Sequence, residues 1–280
     1  MIIALFPNED KKKTIELSNK IIDFLKQKKI TVVSDASKSQ LLKIPPISSV
    51  NPEEIRFLIS LGGDGTILRL YHQHSELEAP ILGINMGNLG FMADVPIEDV
   101  FVTLDDLIAG NFTVEERMVM STTTKSKKPL YAVNDLVIHR GANSSLIELE
   151  LHVDHQYFNT FVADGLVIAT PNGSTAYSLA AGGPILSPQL DAYVITPISP
   201  HTISNRPVVL DASHTIHLTY MNDYKHPIEI RADGNDSCQI KKDEPVKIAK
   251  CSKKFRLVKL KRHDYFSVLR TKLGWSGKMH

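Results

Sequence analysis

Gly62-Gly63-Asp64-Gly65-Thr66 follows the apolar run Phe57-Leu58-Ile59-Ser60-Leu61 and opens into Ile67-Leu68-Arg69-Leu70. The pattern puts a carboxylate in a glycine turn between a predicted strand and a predicted helix. Glycines let backbone amides approach an anion, and a helix N-terminus adds unpaired N–H groups and a favourable dipole, so the turn suits phosphate. A carboxylate beside phosphate is repelled unless a cation lies between them or the acid takes a proton from an attacking hydroxyl. That points to phosphoryl transfer with Asp64 as proton acceptor. The plainer reading is a tight strand-to-helix turn with Asp64 as its cap.

Three further segments carry chemistry. Gly83-Ile84-Asn85-Met86-Gly87-Asn88-Leu89-Gly90-Phe91 follows a predicted strand; such a loop can pass close to a diphosphate, or can serve turn geometry alone. Asn134-Asp135 interrupts an otherwise strand-like run, where two adjacent polar side chains are costly unless they meet a ligand or cap a bend. Asp164-Gly165 leads to Thr170-Pro171-Asn172-Gly173-Ser174-Thr175-Ala176-Tyr177-Ser178, a turn and a short predicted helix whose hydroxyls, open amides and one aromatic could hold a purine. A core tyrosine beside a capped helix would read the same way. His72, His74 and His201 have no zinc-binding spacing, so no residue is assigned as a metal ligand. A Gly-Lys-Ser/Thr phosphate loop and a Gly-x-Ser-x-Gly elbow are both missing from the sequence.

Composition narrows the class. Of 280 residues, 42% are hydrophobic and 22% charged, enough for one large core or two ordinary ones, and two domains are expected. Lys plus Arg number 32 against 31 Asp plus Glu, a formal charge of +1 that provides no global field for gripping nucleic acid. The one basic concentration, Lys247, Lys250, Lys253, Lys254, Arg256, Lys259, Lys261 and Arg262, alternates with Ile248, Phe255, Leu257, Val258 and Leu260 and reads as the wet face of strands. Two cysteines without a disulfide framework fit a reducing cytosol. The opening Met1–Phe6 is too short for a signal peptide and no apolar run spans a bilayer, so a soluble cytoplasmic protein is expected.

Periodicity supplies the elements. Ile2–Phe6 reads as a buried strand, and Ile15, Ile21, Ile22 and Leu25 mark one face of the next helix. The first turn, Pro7-Asn8-Glu9-Asp10, has no glycine, which removes the ordinary dinucleotide fingerprint. A strand at Thr31–Val33, a long surface loop over 34–52, strands at Arg56–Ser60 and Ile81–Asn85 and a helix from Pro96 to Leu107 follow. After Gly110 the texture turns β-rich, with strands predicted at Tyr131–His139, Leu146–Val153, Phe158–Val162, Leu166–Ala169, Val194–Ile198, Pro207–Leu210, Thr215–Tyr220, Ile228–Ala232 and Phe255–Leu260. Tyr265–Leu273 returns to helical spacing. The expected domains are an α/β unit over 1–110, an all-β unit over 111–262 and a C-terminal helix over 263–280 that packs back on the first.

The blocks at 62–66, 83–91, 134–135, 164–165 and 170–178, in this order and at about these separations, resemble the NAD kinase family, and the resemblance runs on to Leu269-Arg270-Thr271-Lys272-Leu273-Gly274-Trp275. It implies a Rossmann-like α/β N-terminal domain, a β-sandwich C-terminal domain and an active site between them. It implies ATP- and Mg²⁺-dependent phosphorylation of the 2′-hydroxyl of the adenosine ribose of NAD to give NADP, by a homodimer or homotetramer. Gly62, Gly63, Asn85 and Gly87 would lie near phosphates. Substrate contacts would come from Asp64, Gly65, Arg69, Thr175, Ala176, Tyr177, Ser178 and Ala180, with Asn134 and Asp135 on the ribose hydroxyls and Asp164 on the nicotinamide side. Asp135 is the shorter of the two acids, Glu or Asp, that the family has there; the chain departs from the family at Asn172, where Thr or Ser is usual, and at Asn235 in Asp233-Gly234-Asn235, where Gln is usual. Gly-Gly-Asp-Gly-Thr alone is shared with diacylglycerol and sphingosine kinases, so a diacylglycerol-type lipid kinase is one alternative. A non-catalytic NADP(H)-binding regulator is the other.

Overall fold

The computed structural model describes residues 1–9, 12–124, 128–224, 226–262 and 264–275. The chain divides into two compact units, one of residues 1–116 with the segment that starts at Arg256, the other Arg117–Phe255.

The first unit opens β1 (Ile2–Pro7), α1 (Lys12–Gln27), β2 (Thr31–Val33), α2 (Ala36–Leu42), β3 (Ile55–Gly62), α3 (Asp64–His74), β4 (Ile81–Asn85), α4 (Val100–Ala109). The strands run parallel in the order β2-β1-β3-β4. Every residue of β1 and β4 is buried, as apolar runs without alternation require in a parallel sheet covered on both faces. Leu17, Ile21, Ile22 and Leu25 of α1 and Val100, Leu104 and Leu107 of α4 share a core with Ile3, Leu5, Ile59 and Leu82 of the sheet. α4 is preceded by a 3-10 turn at Ile97–Asp99 and ends at Gly110, whose φ of 79° suits glycine.

The second unit is antiparallel. Its strands are the later part of β5 (Thr113–Thr123), β6 (Leu130–Ala132), β7 (Asp135–His139), β8 (Ile147–Val153), β9 (Gln156–Ala163), β10 (Gly165–Ala169), β11 (Ala192–Ile198), β12 (Val208–Asp211), β13 (Ile216–Tyr220), β14 (Ile228–Ala232), β15 (Asp236–Ile240) and the first part of β16 (Pro245–Lys259). A short α5 (Tyr177–Ala180) follows β10. One layer has the order β12-β11-β10-β7-β14-β15 and the other includes β16-β13-β8-β9. Leu136, Ile138, Ile168 and Ile230 of the first layer pack with Leu149, Leu151, Leu218 and Ile248 of the second in one core, a sandwich. The last residues of β16 belong to the first unit, where Leu257 pairs in parallel with Ile81, and α6 (Tyr265–Leu273) follows. Among the described residues no helix is long and apolar enough to cross a membrane.

Three departures from the predicted elements have physical causes. The predicted loop over 34–52 contains α2, seven residues with only Ser39 and Leu42 buried, too few to make a readable period. β5 escapes the pattern because its buried stretch Arg117-Met118-Val119-Met120 includes a charge and does not alternate. β15 buries only Cys238 and Ile240.

The signal for α2 is its cap. Asp35 Oδ1 accepts from the Lys38 amide at 3.0 Å, and Oδ2 pairs with the Lys38 ammonium at 2.6 Å. Burial opposes the charge, but these Lys38 contacts outweigh it and hold the Asp35 carboxyl below its usual value. Replacing Asp35 by Ala should lower the unfolding free energy by roughly 0.5–2 kcal/mol at neutral pH. A lowered folded pKa gives stability that is present above the unfolded value and lost as pH falls through the folded one. The parent–variant difference in urea titrations should therefore shrink in acid.

Candidate functional site

In the first unit, β3 delivers Gly62 and α3 begins at Asp64. The N-cap position is Gly63, not Asp64 as the plainer reading had it. Asp64 faces a loop instead: Oδ1 accepts from the amides of Met92 and Ala93 at 3.0 and 2.9 Å, and Oδ2 from that of Phe91 at 2.9 Å. A side chain at Gly90 would put its Cβ 2.1 Å from Asp64 Oδ1, so that glycine is required by the contact. Oδ1 is thus engaged twice and Oδ2 once, which leaves Oδ2 the oxygen with a lone pair to spare.

The same loop is tied to β4. Asn85 lies opposite Gly62 in the parallel register, and the Met86 amide donates to Gly62 O at 2.8 Å. Asn85 is buried; its amide donates to Asn88 O and Ala93 O, and its oxygen accepts from the Gly87 amide at 2.7 Å. Its side chain therefore shapes the loop from within. Cβ positions at Gly63 and Gly65 have no atom within 4 Å, so both glycines border open space. Beside the turn lies an open cavity of about 650 Å³, counting space open to solvent, lined by Pro7, Asn8, Lys38, Thr66, Arg69 and Gln73 among others. Phe91 is flanked by α6, with the Tyr265 ring 6.1 Å away and the Lys272 ammonium 5.3 Å from its centroid.

In the second unit the polar pair interrupts the strand, as β6 ends at Ala132 and β7 begins at Asp135. The three amides freed there are taken by one carboxylate: Asp233 Oδ2 accepts from Val133 at 2.8 Å, and Oδ1 from Asn134 and Asp135 at 2.7 and 3.1 Å. Asp135 is 6% exposed. Burial first, then the charge of Asp233, raises its carboxyl from 3.8 to about 7. Asn134, half-buried, accepts at Oδ1 from Asn172 Nδ2 at 2.5 Å, and Asn172 Oδ1 accepts from the guanidinium of Arg117.

The loop after β10 is a 3-10 turn, Asn172–Thr175, followed by α5. Tyr177 is 42% exposed, so the core-tyrosine reading does not hold. Thr175 and Ala176 are half-buried and Ala180 exposed. Ser178 is fully buried and its hydroxyl bonds Thr196 Oγ1 at 2.9 Å, which makes it a brace of the loop. Asp164 precedes β10 and is engaged by Arg140, Nε to Oδ1 at 2.6 Å. Each unit thus gathers some of its own predicted residues: Gly62 to Gly65, Asn85 and Gly87 in the first, Asn134 and Asp135 in the second, where Asn172 bonds Asn134. Arg117, Asp233 in its clamping role and the amides of 91–93 were not anticipated. A lone arginine in front of Met118-Val119-Met120 was the one signal available for the first.

A glycine-turn α/β unit and an antiparallel unit with a polar strand break define the class, that of ATP-NAD kinases. The family model for the ATP-NAD kinase N-terminal domain matches residues 3–112, and that for the ATP-NAD kinase C-terminal domain matches 133–260. An NAD kinase of Protochlamydia amoebophila is 49% identical over 278 residues, 99% of each chain, and one of Nitrosomonas europaea is 38% identical over 265 residues, 92% of this chain and 89% of the other. The chain belongs to the NAD kinase family. Among solved structures, yeast NADH kinase complexed with NADH shares the fold with a TM-score of 0.88 at 23% identity, covering 100% of this chain and 89% of that one. An NAD kinase from Archaeoglobus fulgidus in complex with ATP superposes with a TM-score of 0.77 at 26% identity, covering 98% and 99%.

The buried Asp135 carries a stability signature. Its raised folded pKa means that the neutral form is favoured in the fold; the cost of ionisation is absent below the unfolded value of 3.8 and in full force above about 7. Asp135→Asn should therefore gain stability relative to the parent as pH rises from 4 to 8, to a ceiling of roughly 4 kcal/mol. Paired thermal melts across that range check it; a difference that does not change with pH would remove Asp135 from the titrating groups.

Proposed function

We propose that this protein transfers the terminal phosphate of ATP to the 2′-hydroxyl of the adenosine ribose of NAD, giving NADP, with Asp64 as the acceptor of the hydroxyl proton. The enzyme class, NAD phosphorylation, follows from membership of the family. The observation that carries the assignment of Asp64 is its setting: one carboxylate at the start of a helix, oriented by three amides, with glycines on both sides that border open space. Oδ2 accepts the proton, and orientation by fixed amides costs no reorganisation during transfer.

The donor phosphates lie over Gly62, Gly63 and Gly65, with Arg69 in the adjoining cavity as their cationic partner. Among the described residues no three His, Cys, Asp or Glu side chains gather into a metal cage. Mg²⁺ is ordinarily held by phosphates and water with one or two carboxylates. The ion would offset the charge of the transferred phosphate, leaving Asp64 Oδ2 for the proton. Asn134 and Asp135 hold the acceptor ribose. Thr175, Ala176 and exposed Tyr177 receive the adenine, Ala180 borders it, Ser178 supports the loop and Asp164 serves the nicotinamide side.

The proposal extends to a cytoplasmic homodimer or homotetramer; Cys238 and Cys251 form no disulfide, as a reducing compartment favours. Against a diacylglycerol-type lipid kinase stand the Thr175-Ala176-Tyr177 loop and the Asn134-Asp135 bend, and parallel incubation with NAD and diacylglycerol separates the two. A regulator without turnover would bind the dinucleotide tightly and transfer no phosphate.

Asp64→Asn keeps the size and removes the base. NAD should still bind, while NADP formation with ATP and Mg²⁺, read by mass, should fall by roughly 10²- to 10⁴-fold. Near-parental turnover of the variant at saturating Mg²⁺ would rule out an essential base. Tyr177→Ala should weaken NAD binding by roughly 1–3 kcal/mol, the scale of base–aromatic stacking; an unchanged dissociation constant takes Tyr177 out of the adenine site.

A further inference from the structure

We propose that Arg117 and Asn172 are positioning residues that set which end of the Asn134 amide faces the acceptor ribose, a proposal that rests on Asn134 being a ribose ligand. The relay starts at the buried end. A guanidinium has donors and no acceptor and stays charged, so whatever meets it must present an oxygen. Arg117, 2% exposed, donates to Asn172 Oδ1. Asn172, itself 8% exposed, has its oxygen turned to Arg117 and must offer its NH₂ in the other direction, where it donates to Asn134 Oδ1 at 2.5 Å. Asn134 then has its oxygen turned inward. The group it can present outward is its NH₂.

The Asn134 end of this relay is held by backbone contacts. Asp233 fixes the amides of residues 133–135, and Asn134 O accepts from the Thr170 amide at 2.8 Å. Thr170 Oγ1 donates to Val133 O at 2.5 Å. Gly173 lies so close that a Cβ there would be 2.1 Å from Asn134 O. The bend therefore cannot swing to correct a wrongly turned amide, and the relay selects its polarity.

The consequence is chemical. A ribose hydroxyl at Asn134 accepts a hydrogen bond from the NH₂ and keeps its own proton free to donate. An amide turned the other way would accept that proton. The relay thus favours the hydroxyl in the state a general base needs. It also accounts for the departure at residue 172. A hydroxyl can accept from Arg117 and donate to Asn134, the same polarity as the Asn172 amide, so Thr or Ser and Asn are interchangeable in this role. A side chain that cannot donate is not.

Three variants test it in the full-length protein: Asn172→Val, Asn172→Thr and Asn172→Asp. Val and Thr have the same shape and differ by the hydroxyl. Asp keeps the partner of Arg117 and directs an acceptor at Asn134 Oδ1, which should turn the Asn134 amide over. For Val the expected result is a rise in the NAD dissociation constant and in KM for NAD of roughly 10- to 100-fold, the scale of a buried hydrogen bond left unmade; for Asp, whose turned amide ties up the hydroxyl proton, it is a fall in kcat of roughly 10-fold or more with NAD still bound. Thr should restore affinity to within a few fold, and KM for ATP should stay near the parental value in all three. Melting temperatures are measured alongside, because a merely structural role predicts that function follows stability; Asp, paired with Arg117, should lose kcat while remaining folded and binding NAD. Parental NAD affinity in Val, parental kcat in Asp, or equal losses in Val and Thr, overturns the relay. If the parent itself does not bind NAD, the functional reading fails, a distinct outcome from parental binding that the variants leave unchanged.

Discussion

A backbone amide taken out of water needs an acceptor, and at two breaks in this chain's regular structure the acceptor is a carboxylate. Asp64 takes three amides of the loop at 91–93, and Asp233 takes three at the break between β6 and β7. A charge-assisted hydrogen bond to a carboxylate is stronger than a neutral one, and three on one group lock both partners. In each case a remote carboxylate, 27 to 29 residues away for Asp64 and 98 to 100 for Asp233, turns a segment with no ladder partner into a rigid one. The two places so rigidified carry the residues assigned to proton acceptance and to the ribose.

The arrangement also divides roles among acids of the same type. Asp233 accepts from three amides of the bend. Asp135, a neighbour in space, is buried with the charge of Asp233 nearby, and its carboxyl moves up to about 7. In the proposed reaction, the first fixes the backbone and the second meets the ribose.

Much of the fold is common to proteins of low identity: at 23% the yeast NADH kinase still superposes with a TM-score of 0.88. Buried apolar runs and core volume tolerate substitution as long as pattern and size are kept. Polar bends are less tolerant, because each donor needs a partner in one direction. Under the proposed relay, position 172 admits side chains that both accept and donate.

The chain's own order of residues was enough for the strands β1, β3, β4, β8 and β10, for α1 and α6, for the change of texture after Gly110 and for the glycine turn at Asp64, because burial imposes periods of 2 and 3.6 and turns demand particular residues. It was also enough to single out Asn134-Asp135, since polarity inside a strand-like run needs a reason. α2, β5 and β15 were hidden, being short or carrying a charge that breaks the pattern. Only the tertiary structure could decide that Asp64 meets residues 91–93, that Asp233 clamps the bend, and that Arg117 reaches Asn134 through Asn172. Hydrogen bonds between residues from 27 to 100 positions apart leave no local period; direction and distance, which carry their energy, exist only once the chain has folded.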